Sequence, residues 1–231
     1  MGAVGLGRIE TRTDISRVDR RLVYWLLLVL ALAAANYTAR FSEGKPPKDI
    51  LYLWDNAIGG VVQYGVILAI MLVIARGAYS LLALRRPPSW SSAVGRALVV
   101  LGAIYAVSAI VSPLLHPGRE QGLTPDHWDS SRAPQFFANA IVVCAIAPIV
   151  EELTFRGVGY GLIAARFGTE PAIVGSGLFF GLAHGLVEAL PLLVAFGIGL
   201  AWLRESQNST VPGMVLHGVF NAIALTVVLA T

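Results

Sequence analysis

Long uninterrupted apolar runs are the feature that most constrains what this chain can fold into. A helix needs about 20 mainly apolar residues to cross the roughly 30 Å hydrocarbon core of a bilayer. The runs are continuous rather than alternating, which argues against strands closed into a barrel. We therefore predict an all-α fold, a polytopic membrane helix bundle of about seven to eight transmembrane helices. The seven runs are approximately Leu22 to Tyr37, Ile58 to Ala75, Ala93 to Leu115, Phe136 to Val150, Ala172 to Leu186, Ala189 to Leu203 and Val211 to Ala230, and Gly157 to Arg166 is a candidate interfacial helix.

The composition agrees with a lipid environment. Only 13% of the 231 residues are charged, whereas a soluble domain carries about a quarter, so a globule would have too little charge to cover its surface. A single cysteine, Cys144, argues against a disulfide scaffold. The net charge of +3 comes from arginines at the ends of apolar runs. Because no stripe of interleaved basic and aromatic residues is present, we expect no nucleic-acid partner.

Arginines mark the ends of the apolar runs in alternate loops. Loops rich in Lys and Arg lie on the cytoplasmic side of a membrane. We therefore expect a cytoplasmic N-terminus and an external C-terminus. The arginines that indicate this orientation are Arg8, Arg12, Arg17, Arg20, Arg21, Arg76, Arg85, Arg86, Arg96, Arg166 and Arg204. The excess of arginine over lysine also suggests a GC-rich bacterial genome, and hence a bacterial inner membrane.

The chain divides into three parts. Residues 1–21 form a basic N-terminal segment, residues 22–133 carry the first apolar runs and an external loop, and residues 134–231 form the C-terminal part. The loop from His116 to Pro134 is rich in Pro, Gly, Asp and Ser and is typical of a solvated linker. The apolar runs before Pro134 carry no ionisable group in their interiors.

The first run resembles a signal peptide, since small residues follow its apolar part. A signal peptide and a retained anchor are both compatible with this pattern. About twenty residues precede the run and include the acids Glu10, Asp14 and Asp19, which favours the anchor.

In the C-terminal part, a cluster of charged residues lies directly against apolar sequence. The run AIVVCAIAPIVEELTFRGVG contains Glu151, Glu152 and Arg156. Burying a charge in a membrane helix costs about 2.5 to 3.5 kcal/mol even on lenient insertion scales. Glu152 and Arg156 are four residues apart, the spacing of a helical ion pair, and Glu151 points about 100° away. Glu152 is therefore the candidate structural partner and Glu151 the candidate reactive carboxylate, with snorkelling of all three to the cytoplasmic surface as the alternative.

Three further polar residues lie in the last apolar runs. His184 follows Phe180 by four residues, and His217 and Asn221 are four apart on one helix face. A histidine and an asparagine facing lipid would leave hydrogen-bonding groups without partners. Each histidine alone is compatible with a satisfied core residue. Together with the acidic pair, they indicate a polar site shared by three successive hydrophobic segments.

These residues resemble the motifs of the CPBP family of intramembrane proteases, which includes the CAAX prenyl endoprotease and bacterial Abi-type proteins. EELTFR (Glu151 to Arg156) is similar to its EExxxR motif, FGLAH (Phe180 to His184) to its FxxxH motif, and HGVFN (His217 to Asn221) to its HxxxN motif. The order and spacing of the three motifs agree. The resemblance covers roughly Phe136 to Thr231, and the first 130 residues carry no motif.

The resemblance implies a role for each motif residue. Glu151 matches the catalytic glutamate and His184 its partner in activating water. His217 and Asn221 match positions proposed to stabilise the oxyanion, and Glu152 and Arg156 support the site. Such a set suits peptide hydrolysis, which needs a base for water and donors aimed at the developing negative charge.

A metal is the open question of this site. Glu151, His184 and His217 could hold zinc with one position left for water. The chain has no HExxH motif, and Asn221 suits hydrogen bonding better than zinc binding. We therefore favour no cofactor, with zinc as the alternative.

The depths of the motif residues in the membrane pose a difficulty. Glu151 would lie roughly 22 Å along a helix that begins at Phe136, and His217 roughly 9 Å in from the same cytoplasmic side. His184 would lie roughly 18 Å in if its helix begins at Ala172. We therefore expect a tilted or displaced helix and a water-filled cavity that opens to the cytoplasm.

The resemblance implies an endopeptidase acting on a membrane-associated protein or peptide. Substrates of the CAAX, sorting-tag and bacteriocin or peptide-maturation types are all compatible with it. Two other classes remain: a catalytically inactive scaffold or immunity protein, and a proton-coupled transporter that uses Glu151 and His184 as a relay. The sequence indicates no oligomeric state.

Overall fold

A computed structural model describes residues 12–42, 44, 47, 49–115, 120 and 128–230 of the chain. These residues form helices and no strands, which confirms the predicted all-α membrane bundle. We number seven long helices: α1 (Arg12–Ser42), α2 (Trp54–Ile74), α3 (Trp90–Leu115), α4 (133–167), α5 (Thr169–Ala183), α6 (Leu190–Gln207) and α7 (Val211–Ala230).

Helix α4 is much longer than the fourth apolar run. It is continuous but contains two π-helical segments, Val142–Ile146 and Glu152–Gly159. The prediction of a separate interfacial helix over Gly157 to Arg166 is therefore wrong, because these residues continue α4. Glycines in this stretch allow close packing instead of ending the helix: a Cβ on Gly159 would overlap the Trp25 ring.

Four helical segments are long and apolar enough to cross a membrane. They are Ser16–Ser42, Trp54–Ile74, Trp90–Leu115 and Ser130–Phe167, and Val211–Thr226 is a shorter apolar helix. Helix α5 has 15 residues and is about 22 Å long, too short for a bilayer core.

Helices α5 and α6 cross at two glycines. A Cβ on Gly177 would lie 2.5 Å from the backbone nitrogen of Ile198, and a Cβ on Gly197 would lie 2.7 Å from the Cα of Gly177. Small residues let membrane helices approach closely and gain packing energy that lipid cannot supply. The crossing therefore holds α5 inside the bundle.

The arginine-rich loops lie together at one end of the bundle, which we call the basic end. Arg21 donates to the Arg76 carbonyl oxygen at 2.8 Å, and Arg96 donates to the Ser206 carbonyl oxygen at 2.6 Å. Helix α1 begins and α4 ends at this end. We call the other end, where α1 ends and α4 begins, the opposite end.

Glu120 lies between α3 and α4, in the segment interpreted from the sequence as a solvated linker, but this residue itself is not solvated. Its side chain is fully buried. The carboxylate accepts hydrogen bonds from the backbone N–H groups of Val187, Glu188 and Ala189 at 2.8 to 3.1 Å, and from Arg40 at 3.2 Å. The loop is thus tied to the turn between α5 and α6 by one carboxylate. His116 and His127, in the same loop, lie outside the described residues.

The pKa of Glu120 follows from these contacts. Burial alone would raise it, but the hydrogen bonds from Val187, Ala189, Arg40 and Glu188 outweigh burial and lower the pKa. A carboxyl group whose pKa falls on folding stabilises the fold above the ordinary value, here 4.5, and loses that contribution as the pH falls through the lowered value.

We predict that Glu120→Gln lowers the free energy of unfolding by about 1.5 to 3 kcal/mol at pH 7, because hydrogen bonds to a charged group are lost. Thermal unfolding in detergent between pH 3 and 7 should show a smaller loss of stability on acidification for the variant than for the wild type. Glu188→Gln is the matched control, since only the backbone of Glu188 contacts Glu120. Equal pH dependence of wild type and Glu120→Gln would contradict the prediction.

Candidate functional site

Glu151 lies in the middle of α4 and lines a cavity of about 340 Å³ inside the bundle. Its side chain is 13% exposed. The hydroxyl of Tyr64, from α2, donates to Oε1 of Glu151 at 2.6 Å. This bond occupies one carboxylate oxygen and leaves Oε2 for other partners.

Two histidines face that second oxygen. The Nε2 atoms of His184 and His217 lie 3.9 and 3.7 Å from Oε2 of Glu151. Nδ1 of His184 lies 2.7 Å from the Phe180 carbonyl oxygen, and Nδ1 of His217 lies 3.4 Å from Oε1 of Glu152. An acceptor beside Nδ1 holds a proton on that nitrogen, whether or not Nε2 also carries one. Both rings therefore present Nε2 to Glu151.

An antiparallel hairpin brings Glu151 and His184 to the same depth. Glu151 lies 16 residues before the end of α4 at Phe167, and His184 lies 15 residues after the start of α5 at Thr169. Helix α5 begins three residues earlier than expected and ends at Ala183, so that His184 stands at its C-terminal cap. The apparent mismatch in depth arose from the assumed helix ends.

His217 reaches the same place because α7 begins inside the protein. Ser209 and Thr210, just before α7, are buried. Their hydroxyls donate to the carbonyl oxygens of Arg85 and Leu82 in the loop between α2 and α3. This loop covers the start of α7, so six residues of helix suffice to bring His217 to the two glutamates.

Glu152 and Arg156 form the ion pair that their spacing predicts. Nη1 of Arg156 lies 2.8 Å from Oε1 of Glu152, and both side chains are fully buried. Nη2 of Arg156 donates to the Gly197 carbonyl oxygen at 3.0 Å. The guanidinium also lies 4.2 Å from the ring centre of Phe180. The pair is therefore packed beneath the cavity and does not snorkel to the surface.

Phe180 and Gly213 also pack around the Glu152–Arg156 pair. The Phe180 ring lies 4.6 Å from the His184 ring and 5.6 Å from the His217 ring, measured between centres. Gly213, in α7, leaves space for the carboxylate, because a Cβ there would lie 2.6 Å from Oε2 of Glu152. The Phe180 ring thus packs against both histidines and against the guanidinium of Arg156.

The π-helical segment Glu152–Gly159 takes hydrogen bonds from other helices. Trp25 donates through Nε1 to the Thr154 carbonyl oxygen at 2.9 Å, and Ser176 donates to the Phe155 carbonyl oxygen at 3.0 Å. A π-helical turn disturbs the regular pattern of backbone hydrogen bonds and is frequent at functional sites. Helices α1 and α5 are therefore attached to α4 beside the motif glutamates.

Asn221 lies away from the cavity lining. Its amide nitrogen donates to the Val143 carbonyl oxygen at 2.8 Å, in the π-helical segment Val142–Ile146. Gly218 allows this approach, because a Cβ there would lie 2.5 Å from the Cys144 carbonyl oxygen. The structure thus brings Glu151, His184 and His217 together and places Asn221 against the backbone of α4.

Sequence reasoning missed Tyr64, which stands in an apolar run judged free of ionisable groups. The adjacent polar residues Gln63 and Tyr64 in the middle of α2 were the available signal, and both line the cavity. Asn36 of α1 was also missed. It lines the cavity and donates to the Ala183 carbonyl oxygen at 2.7 Å.

The cavity extends toward the opposite end of the bundle. It reaches from Glu151 and His184 to Arg40, Gly44 and Pro47, which lie at or after the end of α1. The arginine-rich loops lie at the basic end. A cytoplasmic N-terminus would place the basic end in the cytoplasm, and the cavity would then open on the other side of the membrane. The two expectations from the sequence, a cytoplasmic N-terminus and a cavity that opens to the cytoplasm, are therefore incompatible.

Glu151, His184 and His217 are the residues that would hold a zinc ion in the alternative interpretation of this site. A search of the described ranges finds no group of three or more His, Cys, Asp or Glu side chains arranged as metal ligands. The Nε2 atoms of the two histidines lie 3.9 and 3.7 Å from Oε2 of Glu151.

Fold and site together define a multi-pass membrane protein with a buried glutamate–histidine site. Comparison with family models shows that residues 133–223 match the model described as "Type II CAAX prenyl endopeptidase Rce1-like". The match covers about two fifths of the chain, and it confirms the resemblance of this segment to the CPBP family. The match includes Glu151, His184, His217 and Asn221. Neither the curated proteins nor the solved structures gave a match.

We predict that Arg156→Met destabilises the protein by about 3 to 5 kcal/mol, because it leaves the buried Glu152 carboxylate without a counter-charge. The double variant Glu152→Gln with Arg156→Met should recover part of that loss. Unfolding of both variants in detergent measures the difference. A double variant less stable than Arg156→Met would show that the charge pair is not the source of the effect.

Proposed function

We propose that the chain is an intramembrane endopeptidase that hydrolyses a peptide bond in a membrane-associated protein or peptide, using water activated by Glu151. One observation carries the proposal: Glu151 and His184 line a cavity, and Oε2 of Glu151 faces Nε2 of both His184 and the buried His217. The match of residues 133–223 to the Rce1-like family model supports the reaction class.

The geometry suits a water molecule between the carboxylate and a histidine. A separation of 3.9 Å between Oε2 of Glu151 and Nε2 of His184 is too long for a direct hydrogen bond and leaves room for one bridging water. The water donates one proton toward Glu151 and one toward His184, which directs its lone pair at the substrate. Tyr64 holds the other carboxylate oxygen and orients the base.

Hydrolysis then proceeds in two proton transfers. The water oxygen attacks the peptide carbonyl carbon while its proton passes to Glu151, and the carbonyl oxygen becomes an oxyanion. His217 in its doubly protonated form donates to this oxyanion from Nε2, while Nδ1 remains on Glu152. Glu151 finally returns its proton to the amine that leaves as the C–N bond breaks. Asn221 acts as a positioning residue that holds α7 against α4.

We propose that the basic end faces the cytoplasm of a bacterial inner membrane. Ten of the eleven arginines used to orient the chain, all but Arg8, belong to the described part, and they border loops at this end. At the opposite end, the described arginines Arg40 and Arg132 are both ion-paired with acids. Since the cavity reaches the opposite end, its entrance lies on the outer side of the membrane, and the substrate presents its scissile bond from there.

We predict that Glu151→Gln and His184→Ala each reduce proteolysis about 100-fold or more, because a general base contributes about 10² to 10⁴ to a rate. Quantitative proteomics of membranes from cells carrying each variant should show an uncleaved precursor. Glu170→Gln, an exposed carboxylate on α5, is the control and should process normally. If no precursor accumulates in either variant, the scaffold interpretation is favoured.

With the purified protein, we expect a zinc chelator to leave cleavage of that precursor unchanged, and loss of cleavage would favour a metal.

We predict that a cysteine at position 47 is labelled from outside intact cells. Pro47→Cys and Ser80→Cys, each in a Cys144→Ser background, place single exposed thiols at the opposite and basic ends. A membrane-impermeant maleimide should label Pro47→Cys in intact cells and Ser80→Cys only after permeabilisation. The reverse pattern would place the cavity entrance in the cytoplasm.

A further inference from the structure

A second large depression lies apart from the catalytic cavity, on the lipid-facing side of α1 and α2 near the basic end. Its volume is about 1000 Å³. Four arginines, Arg17, Arg20, Arg21 and Arg76, line one end of it. We call this depression the α1–α2 groove.

The remainder of the groove is apolar. Leu27 and Ala31 of α1 and Ile70 and Val73 of α2 are among its lining residues. The side chains of Leu27, Ile70 and Val73 are 58%, 41% and 72% exposed. From Arg21 to Ala31 the groove follows ten residues of helix, about 15 Å, which is about the thickness of one leaflet of a bilayer core.

The charge at the end of the groove is carried by arginines that the described carboxylates do not neutralise. Arg21 uses Nη2 to bond the Arg76 carbonyl oxygen at 2.8 Å, which ties α1 to the end of α2. Among the side chains that the structure describes, Arg17, Arg20 and Arg76 have no ion-pair partner. The nearby carboxylate of Asp19 is paired with Arg166 at 3.1 Å. Several guanidinium groups therefore line this end of the groove, and no described carboxylate is paired with Arg17, Arg20 or Arg76.

We propose that the α1–α2 groove binds an anionic phospholipid, with its phosphate against Arg20, Arg21 and Arg76 and an acyl chain along Leu27 and Val73. Guanidinium groups bind phosphate through paired charge-assisted hydrogen bonds. An apolar groove one leaflet deep supplies the matching surface for an acyl chain. Anionic lipids are also concentrated in the cytoplasmic leaflet, where the basic end lies in the orientation proposed above.

The groove adjoins the catalytic cavity across the same two helices. Leu28 of α1 and Ile74 of α2 line the groove. Leu32 and Ile67 line the cavity, and they lie about one and two helical turns closer to the opposite end of the bundle. A lipid in the groove therefore contacts both α1 and α2 and stabilises their packing. Helix α2 carries Tyr64, which bonds Glu151. Lipid binding itself does not depend on the proposed proteolysis and is measured without it.

The test uses the purified full chain in detergent and two lipids, phosphatidylglycerol and phosphatidylcholine. Native mass spectrometry and lipid-dependent thermal stabilisation should show that the chain retains phosphatidylglycerol at least about fivefold more tightly than phosphatidylcholine. Arg20→Gln with Arg76→Gln should abolish most of this preference, while the Arg21 bond between α1 and α2 stays intact. Arg85→Gln with Arg86→Gln removes the same charge at the same end but outside the groove, and should leave the preference within about twofold.

A third variant tests the apolar part of the site. Ile70→Trp fills the groove without changing any charge, and it should also weaken retention of phosphatidylglycerol about fivefold. Unfolding of each variant without added lipid should match the wild type, which separates lipid binding from misfolding.

Four results would overturn the proposal. Equal losses in the two double-arginine variants would indicate general charge attraction, and equal retention of the two lipids would indicate apolar contact alone. Stabilisation by inorganic phosphate equal to that by phosphatidylglycerol would indicate an anion site without a chain. Displacement of phosphatidylglycerol by a prenylated peptide that lacks phosphate would assign the groove to a lipidated polypeptide.

Discussion

The buried ion pair between Glu152 and Arg156 is the interaction on which the rest of the site depends. Neither charge can reach water, so each must be satisfied by protein groups. Arg156 contacts Glu152, the Gly197 carbonyl oxygen and the Phe180 ring, while its Nε and Oε2 of Glu152 have no hydrogen-bond partner among the described residues. These contacts join α4 to α5 and α6, and the link from Glu152 to His217 adds α7. A single charge pair therefore sets the positions of four helices around the cavity.

The two adjacent glutamates illustrate how one helix supports both structure and chemistry. The π-helical segment that begins at Glu152 changes the direction of side chains relative to a regular helix. Glu152 turns inward to Arg156, and Glu151 turns to the cavity and Tyr64. Trp25 and Ser176 bond backbone carbonyl oxygens of that segment. A polar backbone can thus be distorted within a membrane because neighbouring helices supply the missing hydrogen-bond donors.

Much of the fold follows from hydropathy and helical spacing. Continuous apolar runs predict an all-α membrane bundle, and the four-residue spacing of Glu152 and Arg156 predicts their pairing. What hydropathy could not predict is where a helix continues through polar residues, because the carboxylates and glycines after Val150 resemble a membrane boundary. For the same reason the length of α4, and with it the depth of His184, was misjudged.

The remaining differences concern contacts between residues far apart in the sequence. Tyr64 is an ordinary interfacial residue by type, and only the packing of α2 against α4 brings its hydroxyl to Glu151. Glu120 stands in a segment whose composition is typical of exposed loops, yet it caps three backbone N–H groups. Single-sequence patterns describe local periodicity, and these partners are 87 and 67 to 69 positions away.

The hydrogen bonds from the turn between α5 and α6 to Glu120 have a consequence for the site. They fix the turn that directly follows His184, so the position of the imidazole depends on Glu120 as well as on the helices. A displacement of Glu120 moves this turn, and with it the histidine. Substitution of Glu120 can therefore alter the alignment of Glu151 and His184 while every motif residue is retained.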